Sequence, residues 1–143
     1  MSDIKDFEIE DGSLLAYNGN DCKITIPDGV MIIEEGVFCS CSNLYSIIFP
    51  ESVMSIKGAA FCGCANLESL ILPEGVEDIG AMAFQGCSNL ACVKIPDSVR
   101  WIDDCVFRDC TELTAVTIPN SVSFIGEGIF DGCEQLRDIY YTG

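Results

Sequence analysis

The apolar positions of this chain recur every 23 residues, and that period has to be recognised before any single element is assigned. Phe38, Phe61, Phe84, Phe107 and Phe130 form one column, and Leu44, Leu67, Leu90, Leu113 and Leu136 a second. Val30, Val53, Val76, Val99 and Val122 form a third, followed three residues on by Ile33, Ile56, Ile79, Ile102 and Ile125. All five prolines (Pro27, Pro50, Pro73, Pro96 and Pro119) keep the same register, as do Cys41, Cys64, Cys87, Cys110 and Cys133. No insertion or deletion interrupts the columns.

One unit reads Leu44-x-x-Ile47-x-Phe49-Pro50-x-x-Val53-x-x-Ile56, then Phe61-x-x-Cys64, then Leu67 to begin again. The alternation at Ile47-x-Phe49 predicts a short strand with two side chains pointing inward. Pro50 can donate no ladder hydrogen bond, so the strand is expected to end there. The chain then turns, makes a second pass at Val53 and Ile56, and returns through a compact turn around Phe61 and Cys64. Such a unit cannot bury its apolar face alone. Stacked on its neighbours it gives a repeat solenoid with parallel short strands, little helix and a continuous core, in which like residues form ladders at about 4.8 Å.

The two ends differ from the repeats. Asp11-Gly12 and Asn18-Gly19 are hairpin-turn signals between apolar stretches, so residues 1–21 are read as a β-meander cap over the first coil. Residues 22–143 are then the solenoid, the two parts making a single domain. After Ile139-Tyr140-Tyr141 no polar capping segment follows. Either the last coil pairs with something, which includes self-association through that exposed coil, or the natural chain continues; continuation is the preferred reading.

The units Leu90-Ala91-Cys92-Val93-Lys94-Ile95-Pro96 and Ala83-Phe84-Gln85-Gly86-Cys87 resemble the BspA-like class of leucine-rich repeats over about residues 22–141. The commoner leucine-rich pattern places Asn or Cys eight positions after the first Leu. Here Ser52, Gly75, Ser98 and Ser121 stand there, so an asparagine ladder is absent. The resemblance implies a curved, right-handed leucine-rich-repeat coil. It also implies surface or secreted proteins, several of them attached to host matrix or to other cells.

Charge narrows the partners. Seven basic residues against 23 acidic ones give a net charge of −16. Such a field repels nucleic acid and anionic membranes, which need Lys and Arg to neutralise phosphate, and it favours cationic partners. No apolar run approaches the roughly 20 residues that span a bilayer, so membrane insertion is not expected. The opening residues carry no secretory signal, which points to the cytoplasm if the chain begins where the gene does.

Ten cysteines would suggest disulfides in a small secreted protein. Five of them sit in one ladder column, where a buried thiol serves as a small hydrophobe with a weak donor, and free thiols are the favoured reading. Bridges between adjacent rungs remain open. Cys39, Cys41, Cys62 and Cys64 lie on neighbouring coils and offer four sulfurs to zinc, but Cys-x-Cys spacing is a weak signal; no metal or other cofactor is expected. The chain has no histidine, which removes the usual general base and nucleophile pairs, so it is not read as an enzyme.

Two candidate binding surfaces remain. The outward positions of successive main strands are Thr25, Ile48, Ile71, Lys94, Thr117 and Tyr140, a strip free of acids with two isoleucines side by side. Exposed apolar strips mark interaction sites, although β-branched residues also simply suit a strand. On the second pass Trp101 and Phe124 fall on adjacent coils and form an aromatic patch suited to a partner, unless they turn inward as Trp commonly does. The expected function is a protein-binding module of the cell-surface or adhesion type, the partner being a host matrix or surface protein. An intracellular scaffold is the alternative.

Overall fold

The computed structural model describes residues 3–143. A short 3-10 turn at Ile4–Asp6 leads into β1 (Phe7–Glu10) and β2 (Ser13–Tyr17), which pair antiparallel. Asp11 (φ 49°) and Gly12 (φ 81°) close this hairpin, both in the left-handed region that such two-residue turns demand. Asn18-Gly19 closes no second hairpin. Instead the Tyr17 ring packs 5.1 Å from that of Phe7 and 5.5 Å from that of Phe38, and its hydroxyl donates to Asp21 Oδ2 at 2.8 Å while accepting from the Asp21 N–H at 3.1 Å. The segment after β2 is therefore wrapped around one tyrosine rather than paired as a strand.

The coils that follow are short strands in two rows. The main row holds β3 (Lys23–Thr25), β5 (Ser46–Ile48), β8 (Cys92–Lys94), β10 (Ala115–Pro119) and β12 (Asp138–Thr142). The second-pass row holds β4 (Ile32–Ile33), β6 (Ser55–Ile56), β7 (Asp78–Ile79), β9 (Trp101–Ile102) and β11 (Phe124–Ile125). Equivalent residues pair in parallel from coil to coil. Because β2 also pairs in parallel with β4, the hairpin joins the second-pass row as its first member, giving one unbroken sheet of seven strands, β1-β2-β4-β6-β7-β9-β11.

The main row is not continuous. It consists of the pair β3-β5 and the trio β12-β10-β8, with Leu70-Ile71-Leu72 in no strand and only the bridge from Ser46 to Ser69 spanning towards it. β3, β5 and β8 end two residues before their prolines, as expected, but β10 runs through Pro119, which lies opposite Thr142. Proline is tolerated there because the ladder continues on the β12 side, where the Asn120 N–H donates to the Thr142 carbonyl at 2.7 Å.

The core is the set of columns themselves. Phe38, Phe61, Phe84 and Phe107 are fully buried and stack nearly parallel, at centroid spacings of 5.0, 5.3 and 5.8 Å. Burial of each ring is worth about 1.5–3 kcal/mol, so the ladder is a main source of cohesion between coils. Leu44, Leu67, Leu90 and Leu113 fill the adjoining column, with Val53, Val76 and Val99 behind them. In the last coil Val122, Phe130 and Leu136 of these columns are only half-buried, and Ile125, Ile139 and Tyr141 are exposed. Among the described residues no helix is long and apolar enough to cross a membrane.

Candidate functional site

The main-strand row presents its outward side chains as the alternation requires, because Ile47 and Phe49 are buried on either side of Ile48. Thr25, Ile48, Ile71, Lys94 and Tyr140 are exposed and Thr117 half-exposed, so the six positions form one strip down the stack. Ile71 is 81% exposed and Ile48 61%, the two most exposed large apolar side chains of the repeat coils apart from Tyr141. Each is costly in water, since a buried aliphatic side chain gains about 1.5–3 kcal/mol over an exposed one.

The break in the row changes the surface around them. The Ile26 N–H donates to the Ile48 carbonyl at 2.9 Å, and the Ile95 N–H to the Thr117 carbonyl at 2.9 Å. Among the described residues the equivalent bonds from Phe49 and Leu72 are missing. Where the coils part, a groove of about 290 Å³ opens, lined by Ile48, Phe49, Glu51, Ile71, Leu72 and Glu74. A second, of about 330 Å³, adjoins it across Ile71, towards Lys94 and Pro96. Ile71 is thus a ridge between two grooves.

Glu51 and Glu74 belong to a column that the sequence reading passed over. The residue after each proline is Asp28, Glu51, Glu74, Asp97 and finally Asn120, all exposed. Stacking turns four turn residues into an acidic rail beside the strip. The strip itself is free of acids, as its sequence indicates, but its flank is not.

Trp101 and Phe124 lie on β9 and β11, in the other sheet, so the eight candidate residues make two surfaces rather than one. Both rings point outward, 46% and 38% exposed, and stack with centroids 3.9 Å apart. The cavity beside them is lined by Glu34, Glu35, Lys57, Asp78 and Asp103 together with Trp101.

The cysteines are all free. Cys64, Cys87 and Cys110 are buried, and burial pushes their thiols up, those of Cys64 and Cys110 to about 12. Cys41 and Cys133, at the two ends of the column, are half-buried and are shifted upward by the same cause. Such thiols are held protonated and make poor nucleophiles or metal ligands. Among the described residues no three or more Cys, Asp or Glu side chains are grouped to hold a metal ion.

Ser52, Ser98 and Ser121 replace the missing asparagine ladder. Their hydroxyls donate to the carbonyls of Val30, Val76 and Val99 in the preceding coil, at 2.7, 2.6 and 2.8 Å.

Stacked coils of about six turns, parallel strands, ladders of like residues and almost no helix define a leucine-rich-repeat solenoid. The chain belongs to the BspA type leucine rich repeat family, whose repeat matches residues 13–141 in six copies. The match begins within β2, consistent with the pairing of that strand to the second-pass row. Among solved structures it is similar to a leucine rich cell surface protein from Faecalibacterium prausnitzii, with 34% identity and a TM-score of 0.84 over 92% of this chain and 35% of that one. It is also similar to a T. pallidum leucine rich repeat protein, with 23% identity and a TM-score of 0.78 over 97% of this chain and 81% of that one. The pneumococcal vaccine antigen PcpA shares the fold at 24% identity and a TM-score of 0.82, over 94% of this chain and 34% of that one. The chain thus spans about a third of the F. prausnitzii protein and of PcpA. No curated protein matches it. Family and fold together point to a protein-interaction module, and such repeats are typically non-catalytic.

Proposed function

We propose that this chain is a non-catalytic protein-binding module that recognises its partner through the main-strand face, in an adhesion-type role at a cell surface. The observation that carries the reading is the pair of exposed isoleucines, Ile48 and Ile71, aligned on adjacent coils at the one place where the strand row parts. A large aliphatic side chain held in water at 81% exposure stabilises nothing in the isolated fold and is suited to a partner. The cell-surface part of the proposal draws support from the F. prausnitzii cell surface protein at 34% identity. A host matrix or surface protein is the partner class.

An intracellular scaffold using the same face is the second reading, favoured by ten free thiols. Capture experiments with wild type and the Ile48→Asp/Ile71→Asp variant, offered immobilised matrix proteins or cytosolic extract, separate these readings. Loss of a matrix partner in the variant supports the adhesion role. Loss of a cytosolic partner keeps the face and moves the protein inside the cell. Equal capture by both chains rejects the face. Because both side chains are exposed, the variant is expected to keep its thermal unfolding transition, and a collapse of that transition would mean they support the fold instead.

A further inference from the structure

The grooves on either side of Ile71 also indicate what kind of segment they take. Their floor is apolar, with Phe49 and Leu72 buried beneath the exposed Ile48 and Ile71. Their rim is anionic, with Glu51 and Glu74 exposed at its edge. Neither carboxylate is within ion-pairing distance of a cation, the ion pairs among the described residues being Lys5 with Asp3 and Arg108 with Asp109. The rail continues to Asp28 and Asp97, in a chain whose net charge is −16. Lys94 lines only the second groove, so the rim is most negative on the Glu51 side.

We propose that these grooves dock a basic peptide segment of a partner protein, with an aliphatic or aromatic side chain seated against Ile71 and lysine or arginine paired with Glu51 and Glu74. The inference rests on the main-strand face being the binding face. The apolar anchor supplies most of the affinity, because burying it removes two exposed isoleucines from water. The carboxylates select the sign of the partner's charge and speed its approach. An acidic segment would meet the rail with like charge and be rejected.

The test is fluorescence polarisation with the full chain and three fluorescein-labelled peptides, alternating lysine with leucine, lysine with serine, and glutamate with leucine. The lysine–leucine peptide is expected to bind at least about tenfold more tightly than either control. Glu51→Gln/Glu74→Gln is expected to weaken that binding about tenfold, two rim ion pairs being lost. Glu112→Gln/Glu134→Gln, which removes the same charge elsewhere on the exposed surface, is expected to leave it unchanged. Equal weakening by both pairs, or equal binding of the lysine–serine peptide, would reduce the effect to diffuse attraction and overturn the proposal. So would failure of the lysine–leucine peptide to bind. Binding of the glutamate–leucine peptide that is lost in Ile71→Ser would reject a basic partner and keep the face. Binding that is indifferent to Ile71→Ser would reject the face itself.

Discussion

The thiol of Cys110 donates to the carbonyl of Phe84, 3.2 Å away in the preceding coil. The same carbonyl accepts the N–H of Cys87, also at 3.2 Å, so both of its lone pairs are used. The arrangement repeats at Cys64 with Phe38, Cys87 with Phe61, and Cys133 with Phe107. Each coil therefore offers the next a carbonyl that lies in an apolar turn, beside a stacked phenylalanine, where an unpaired acceptor would be costly. A thiol suits this place better than a hydroxyl because it supplies the donor with little desolvation.

Alkali should loosen the solenoid through these thiols. Burial raises Cys64 and Cys110 from an ordinary value of 9.0 to about 12. Between those values the unfolded chain has released protons that the folded chain keeps. Their contribution is therefore whole below pH 9 and declines as pH rises towards 12, with a slope of about 1.4 kcal/mol per pH unit for each thiol. Urea unfolding followed by circular dichroism from about pH 8 to about pH 11 measures this slope. The variant Cys110→Ala should show a shallower decline than wild type, and identical slopes would rule the buried thiol out as the cause.

The serine column makes a second, independent tie. Replacing Ser98 by Ala removes its 2.6 Å bond to the Val76 carbonyl without disturbing an apolar column. The expected cost is about 1 kcal/mol, read as a lower urea midpoint at constant slope. A midpoint equal to that of wild type would mean that water replaces the hydroxyl without loss.

Backbone strain offers a gain in the opposite direction. Gly36, Ala59, Met82, Cys105 and Gly128 form one column, with φ of 68°, 55°, 59°, 58° and 68°. Glycine occupies this left-handed position freely, whereas a side chain costs about 1–2 kcal/mol there. Met82 is exposed and gives up little packing. Met82→Gly is therefore expected to raise stability by about 1 kcal/mol, or about 2–4 °C in Tm for a domain of this size. A lower Tm would show that the methionine packs usefully over the turn.

The column residues were legible because stacking places every residue beside its copy 23 positions away. Phe38 to Phe107 could hardly be anything but a ladder. The Asp11-Gly12 hairpin was legible for a local reason, since two consecutive left-handed residues select it. Asn18-Gly19 carries the same local signal and failed because Tyr17 drew the following segment around its own ring and hydroxyl. The parting of the strand row at Leu70-Ile71-Leu72 was not legible either. Those residues suit a strand as well as Cys92-Val93-Lys94 does, and the difference lies in coil-to-coil hydrogen bonds. The acidic rail was in plain view after each proline, but a charged residue in a turn is unremarkable until stacking sets four in line.

Trp101 can distinguish the two surfaces, because it is the only tryptophan in the chain and lies in a different sheet from Ile71. One face of its indole is covered by Phe124 at 3.9 Å, and nearly half of the side chain meets water. Phe124→Ala should uncover that face and shift the emission to the red, at a cost of about 0.5–1.5 kcal/mol for the lost stacking beyond the loss of buried area. With that reporter calibrated, the wild-type chain is titrated to saturation with the lysine–leucine peptide. If the main-strand grooves take the peptide, the Trp101 emission should stay where it is while polarisation rises. A blue shift in step with the polarisation would mean that the indole is being buried. The contact would then belong to the aromatic pair and the carboxylates of Asp78 and Asp103 beside it, not to Ile71.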